Sequence, residues 1–294
     1  MDYVELLRQS ADYTGNVACM GLDPVMDVLP GEGGFRDRVN GFFEKLFRRM
    51  KLEGVSPAAF KPNIGYYVIN DRPRDENFEG SQALADVLDM LSSFFPSIPV
   101  ILDSKRGDIA KSSLNYAKEA FEGWGADAVT VSPYMGSDSV LPFAFADKGI
   151  YVLNRTSNPG GRELQNILTI DKVEERDVYP LYIAVAHHIA AWAGEHSGIG
   201  AVVGATSMEE LKTIVRYYAG KDIPTLIPGV GSQGGSAQDV MGALREASYD
   251  VRLSRINSSS GLTHPWKKAP VPEDWLEMCM ASLRSLVADT QVKA

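Results

Sequence analysis

Cysteine is nearly absent. Cys19 and Cys279 are the only two and lie far apart, which excludes a disulfide framework and any cysteine-based metal motif. Reduced thiols of this kind fit a cytoplasmic protein best. Basic residues are in deficit, 29 Lys and Arg against 38 Asp and Glu for a net charge of -9. Nucleic acids and anionic membranes are bound by clustered cations, so neither is an expected partner, and any phosphate must sit in a local pocket. Long apolar runs are missing too: nothing is long enough to cross a bilayer, and Met1 to Glu5 lacks the basic and apolar regions of a signal peptide. Histidine is scarce, at four. His187 and His188 are adjacent on a helical stretch and diverge, so they are poorly placed to share a metal. With His196 they read as packing or surface residues, and no serine, histidine and acid set forms a hydrolytic triad. Only His264, in a late loop, lies near other residues of chemical interest.

What is present is an ordinary globular composition, 45% hydrophobic and 23% charged over 294 residues. That length permits two domains or one long β/α barrel. Short β-branched apolar runs alternate with amphipathic stretches. Strands are expected at Val17–Asp23, Ala58–Lys61, Pro99–Leu102, Asp127–Ser132, Gly149–Asn154, Ile199–Gly204, Pro224–Pro228 and Val251–Ile256, with helices at Asp2–Tyr13, Phe35–Glu53, Ser81–Phe95, Ile109–Trp124, Pro180–Ser197, Met208–Ala219 and Ala237–Ala247. Nearly every strand ends on a reactive or polar residue: Asp23, Lys61, Asp103, Ser157, Gln233 and Ser258 to Ser260. A closed barrel gathers all strand ends at one mouth, whereas an open doubly wound sheet spreads them along a crevice. We therefore expect an α/β fold, a (β/α)8 TIM barrel forming a single domain over residues 1–294. The polar stretch Asn154–Asp177 reads as a mobile loop over the mouth.

The centre of the chemistry is Val100-Ile-Leu-Asp-Ser-Lys-Arg-Gly-Asp-Ile-Ala-Lys-Ser113. A buried strand stops at Asp103, and on extended backbone Asp103 and Lys105 point the same way. Gly107 lets the chain turn and bring Asp108 back to them. This is either a carboxylate, ammonium, carboxylate row at a strand end or a solvated surface turn. Gly229-Val-Gly-Ser-Gln-Gly-Gly235, after the seventh strand, is either an anion cradle of backbone N–H groups or a flexible turn. Asn154-Arg-Thr-Ser-Asn-Pro-Gly-Gly161 either reads a ligand edge or caps a turn.

Taken together these residues resemble orotidine 5′-phosphate decarboxylase, in its longer bacterial and archaeal form. The matching motifs are Gly21-Leu-Asp-Pro24, Phe60-Lys-Pro-Asn63, Leu102-Asp-Ser-Lys-Arg-Gly-Asp-Ile109, Ser132-Pro-Tyr-Met-Gly136, Arg155-Thr-Ser-Asn-Pro159, Val203-Gly-Ala-Thr206 and Pro228-Gly-Val-Gly-Ser-Gln-Gly-Gly235. The Asp-x-Lys-x-x-Asp core is the most specific. The resemblance implies cofactor-independent and metal-free decarboxylation of orotidine 5′-monophosphate, the last step of UMP synthesis. It implies a charged network of Lys61, Asp103, Lys105 and Asp108, with Lys105 protonating C6 and kept charged despite burial. Asp23 and Lys61 would bind ribose, Ser157 the pyrimidine edge and Gln233 the phosphate, with Pro228 also at the substrate and the backbone N–H groups of Ser259 and Ser260 as further phosphate donors. Asp108, Ile109 and Ser112 would reach the partner's site in a homodimer. The family's phosphate-binding arginine is missing, with Ser260 in its place, and Arg255, His264 and Lys267 are the candidates for a displaced cation. The competing expectations are a metal-dependent sugar-phosphate enzyme and a nucleotide-binding module without turnover.

Overall fold

A computed structural model describes residues 1–170, 178–231 and 234–293. Eight parallel strands form its centre: β1 (Ala18–Leu22), β2 (Ala59–Pro62), β3 (Ile101–Arg106), β4 (Ala128–Val131), β5 (Gly149–Arg155) and, after a two-stranded hairpin β6 (Leu168–Ile170) and β7 (Val178–Pro180), β8 (Ile199–Val203), β9 (Thr225–Ile227) and β10 (Ser254–Ser258). The order β2-β1-β10-β9-β8-β5-β4-β3 is closed by parallel bridges from Phe60 to Val100 and from Asn63 to Asp103. The expected barrel is therefore what forms.

The strands are short apolar runs because both of their faces are covered. Ala18 to Leu22 and Ile199 to Val203 are buried at every position, as parallel strands between a filled barrel and a helical shell must be. The helix Phe35–Glu53 illustrates the shell. Phe35, Val39, Phe42, Phe43, Leu46, Phe47 and Met50 fall on one stripe and are buried, and Gly54 ends the helix in the left-handed region at φ 66°. Phe47 meets the rings of Phe60 and Phe95, tying this helix to β2 and to the segment before β3. Burial pushes the thiols of Cys19 and Cys279 up to about 12, so both behave as small core residues.

Two expectations change and one element is new. The eighth barrel strand begins at Ser254, because Val251–Leu253 is a 3-10 turn whose Arg252 N–H is capped by the Asp250 side chain. The stretch expected as one loop over the mouth carries a short helix, Gly161–Gln165, and the β6–β7 hairpin; its residues 171–177 lie outside the described residues. A last helix, Trp275–Asp289, packs on the helices Phe35–Glu53 and Ala237–Glu246. Among the described residues no helix is long and apolar enough to cross a membrane.

Candidate active site

The carboxyl ends of the strands converge on one mouth, and β2 and β3 carry its charge. Lys61 Nζ lies 2.8 Å from Asp103 Oδ2, with both side chains less than a tenth exposed. Lys105 Nζ lies 2.6 Å from Oδ1 of the same carboxylate. Burial pushes the Asp103 carboxyl upward, but Lys61 and Lys105 outweigh it and hold the group well below the usual carboxylate range. Burial likewise opposes the Lys61 charge, and Asp103 and Asp23 overcome it, raising the ammonium above the ordinary lysine range. Asp103 is thus a fixed anion between two cations.

The row is built differently from the pleat that the spacing suggests. β3 does not stop at Asp103 but continues to Arg106, with a register shift against β4 between Leu102 and Arg106. Asp103 and Lys105 meet across this bulge, and Lys105 takes the left-handed conformation at φ 46°. Nor is Lys105 buried, since half of its side chain is exposed. Gly107 is not the left-handed turn. A Cβ there would stand 3.1 Å from Ser132 Cβ, so glycine allows β3 to end against the β4 loop. The left-handed residue after β3 is instead Ala110, at φ 44°, where the next helix begins. Asp108 makes no ion pair with Lys105. It accepts from the Ile109 N–H and, among the described residues, forms no ion pair, while Ile109 and Ser112 are exposed beside it.

A cavity of about 190 Å³ opens beside the row, lined by Asp23, Tyr66, Pro228, Asn257, Ser259, Ser260 and His264, among others. Asp23 Oδ1 and Asn257 Oδ1 are buried there without a hydrogen-bond partner. Such orphaned acceptors await a donor. Gly21 is required by close approach, because a Cβ on it would fall 1.8 Å from Ser259 Oγ. Ser259 precedes the short helical turn Ser260–Thr263, and its side chain takes a 3.4 Å bond from Asn257 Nδ2.

Of the three displaced-cation candidates only His264 lines this cavity. Burial lowers the pKa of its imidazole, which shares a 3.0 Å bond with Thr263 Oγ1. Arg255 stands at the opposite end of the barrel. It is fully buried, with its guanidinium on the carbonyls of Ala58, Arg252, Ser254 and Leu7. Lys267 is exposed and does not line the cavity.

The two loops divide between their alternatives. In Gly229–Gly235 the N–H groups of Gly231, Gly234 and Gly235 all bond inside the loop, so these three are not free to cradle an anion; Gln233 and Ser232 lie outside the described residues. In Asn154–Gly161 the Asn154 amide faces Tyr218 and Thr156 bonds Asn158, which is turn capping. Ser157 is held differently. Its carbonyl accepts from Thr206, while buried Arg155, paired to Glu210 at 2.8 Å, anchors the strand end before it. The Ser157 side chain makes no hydrogen bond among the described residues. Thr130 is a site residue that the motifs did not single out. It is buried, and its Oγ1 lies 2.9 Å from Asp103 Oδ1. A lone hydroxyl in the apolar strand Ala128–Val131 was the available signal.

Known proteins share both the sequence and this fold. A model of the orotidine 5′-phosphate decarboxylase / HUMPS family matches residues 52–263. The chain is 36% identical to the orotidine 5′-phosphate decarboxylase of Bordetella avium (strain 197N) over 291 residues, 97% of each chain. It is 40% identical to that of Ralstonia pickettii (strain 12J) over 275 residues, 90% of each. Among solved structures it is similar to the OMP decarboxylase of Leishmania donovani, with a TM-score of 0.74 at 29% identity and 98% of both chains covered. With the strand-end motifs, the barrel and these relatives in agreement, the chain belongs to the orotidine 5′-phosphate decarboxylase / HUMPS family.

Proposed function

We propose that this chain carries out the decarboxylation for which its relatives are named, converting orotidine 5′-monophosphate to uridine 5′-monophosphate, and that Lys105 is the acid of the reaction. The observation that carries the assignment is the Lys61, Asp103, Lys105 row at the ends of β2 and β3. The bond from C6 of the pyrimidine to its carboxylate breaks, carbon dioxide leaves, and the electron pair stays on C6. The Lys105 ammonium gives its proton to that carbon and is recharged from solvent. Because the ammonium is already aimed by Asp103, it stabilises charge on C6 without reorganising, which favours the transition state over the bound substrate. Asp103 faces the departing carboxylate and adds repulsion that its loss relieves. No cofactor takes part in this scheme.

Asp23 and Lys61 hold the ribose hydroxyls, which supply the donors that Asp23 Oδ1 is without. Ser157 takes the pyrimidine edge. Pro228, Ser259 and Ser260 line the phosphate end, with His264 as an added donor, and Gln233, outside the described residues, is given to the phosphate by the family resemblance alone. The active form is a cytoplasmic homodimer in which Asp108, Ile109 and Ser112 complete the partner's site. Two features support this. The Asp108 carboxylate pairs with no cation among the described residues, and apolar side chains stand open beside it: Ile109 is 52% exposed, and Tyr134 and Met135 on the neighbouring loop are 85% and 43% exposed.

The competing reading is a metal-dependent reaction on a sugar phosphate by a barrel enzyme of related architecture, which can also carry an Asp-x-Lys core. One assay separates the two. Loss of ultraviolet absorbance by orotidine 5′-monophosphate is followed in metal-free buffer with chelator, comparing the native chain with Lys105→Ala. Native turnover and a variant slower by about a thousandfold or more are expected, from loss of both the acid and its charge. A folded native chain without turnover, or a fully active variant, overturns the assignment.

A further inference from the structure

The Asp103 carboxylate and the strained backbone at Lys105 share one anchor outside the charge row. Leu102 pairs with Val129 and Arg106 with Val131, so four steps along β3 span two along β4. The surplus lies at Asp103 to Lys105, where ladder bonding fails and the chain passes through φ 46° at a lysine, a conformation non-glycine residues rarely take. Two amides inside the bulge therefore need acceptors. Those of Ser104 and Lys105 both find Thr130 Oγ1, at 3.1 and 2.9 Å.

A hydroxyl has one proton and two lone pairs. With both lone pairs engaged by amides, which can only donate, its proton has one partner left, Asp103 Oδ1 at 2.9 Å. That same oxygen takes the Lys105 ammonium at 2.6 Å, and the other oxygen takes Lys61 at 2.8 Å. Thr130 is 1% exposed, so water does not compete for these bonds.

We propose that Thr130 is a positioning residue for the decarboxylation: its single hydroxyl fixes the left-handed backbone of Lys105 and the Asp103 oxygen that aims the Lys105 ammonium. The proposal rests on the reading of Lys105 as the acid. Thr130 touches no substrate, so its loss acts through the geometry of the reacting pair and leaves ribose and phosphate contacts in place. An O–H beside Asp103 also favours its ionised form, so removing it moves the acid limb of the kcat profile to higher pH.

Thr130→Val keeps the branched shape and removes the hydroxyl, whereas Thr130→Ser keeps the hydroxyl and removes a methyl. Steady-state kinetics should give Thr130→Val a kcat lower by about 10- to 100-fold with KM within about threefold, because misplaced reacting groups cost rate while uniform binding is retained. Thr130→Ser should restore kcat to within about fivefold of native. Should Thr130→Val fail to fold by circular dichroism, Thr130→Cys, with its weaker donor, is expected between the other two. A folded Thr130→Val or Thr130→Cys with native kcat overturns the proposal, as does a Thr130→Ser as slow as Thr130→Val, since packing would then be the cause. A native chain that does not turn over overturns the reading of the site itself, and the proposal with it.

Discussion

Replacing Lys61 with methionine keeps most of its stem and removes its charge from the floor of the mouth. Its ammonium lies 2.8 Å from Asp103, and the two side chains are 6% and 8% exposed. Breaking a buried pair from one side costs about 3–5 kcal/mol, because the remaining charge is left desolvated. Here Asp103 retains Lys105 and Thr130 on Oδ1, and the Lys105 side chain is 50% exposed. The loss should therefore fall near the lower end, about 3 kcal/mol at pH 7. Its pH dependence tests the cause. In the native chain the Asp103 pKa is depressed below its unfolded value, so its contribution is present above the unfolded pKa and is lost only as pH falls through the lower folded one. Without Lys61, burial is opposed chiefly by half-exposed Lys105, and the expected result is a folded pKa above the unfolded value. At Asp103 the variant then gains stability on going down from pH 7 toward pH 4, where the native Asp103 contributes no gain, and the gap between the two chains narrows. Urea unfolding of both chains across that range measures it, and adding Asp103→Asn to the variant should recover part of the loss. A gap below about 1 kcal/mol, the ordinary value of an exposed pair, or one that does not change with pH, would refute the reasoning.

Three further outcomes follow from the same geometry. Gly21→Ala places a Cβ 1.8 Å from Ser259 Oγ and 2.9 Å from its Cα; overpacking of this kind costs about 1–3 kcal/mol and pushes the Ser259 turn outward, so KM for orotidine 5′-monophosphate should rise at least about tenfold, and an unchanged KM would show that the turn is not part of the binding end. Arg255→Met removes four bonds to buried carbonyls at the far end of the barrel; urea unfolding should register a loss of about 3 kcal/mol or more, with KM unaltered, and a raised KM in the folded variant would restore Arg255 as a phosphate ligand. On the homodimer reading proposed above, Lys105→Ala and Asp108→Asn, each inactive alone, should recover about a quarter of native activity when unfolded and refolded together, since half of the dimers would be mixed and each mixed dimer would hold one intact site; no recovery would place both residues in one subunit's site.

The barrel was readable because most strands are short apolar runs closed by a polar residue, and that signature depends only on burial of both strand faces. The boundaries failed where a local side-chain bond overrode the run. Val251-Arg-Leu253 is as apolar as a strand start, yet Asp250 caps it into a turn. The helix Trp275–Asp289 went unread although Cys279, Met280, Leu283 and Leu286 carry the helical period. In the site, the identities of Asp103 and Lys105 were legible and their geometry was not. A regular pleat and a two-residue bulge both bring positions i and i+2 together, and only the bulge gives Thr130 its task. Arg255 misled for a related reason. It lies only three residues before Ser258, but a strand crosses the whole barrel, so a residue at its start belongs to the other end.

The distribution of charge at the mouth constrains how substrate is held. Lys61 and Lys105 contribute two positive charges and Asp103 and Asp23 two negative ones, so these four side chains sum to zero, and on the reading proposed above the partner's Asp108 adds no positive charge. On the β9–β10 side the cavity offers serine hydroxyls, an asparagine and an imidazole whose pKa burial has lowered. On the reading proposed above, the substrate brings a carboxylate and a phosphate into this surround. Net attraction between charges is then a weak source of affinity from the described groups, and hydrogen bonds to fixed polar atoms must supply most of it. The same balance suits the reaction. A site that bound the carboxylate tightly through excess positive charge would stabilise the state that has to be left. Two cations locked on one buried carboxylate leave the reacting end with direction rather than net charge, and direction is what a carbanion forming at one carbon can use.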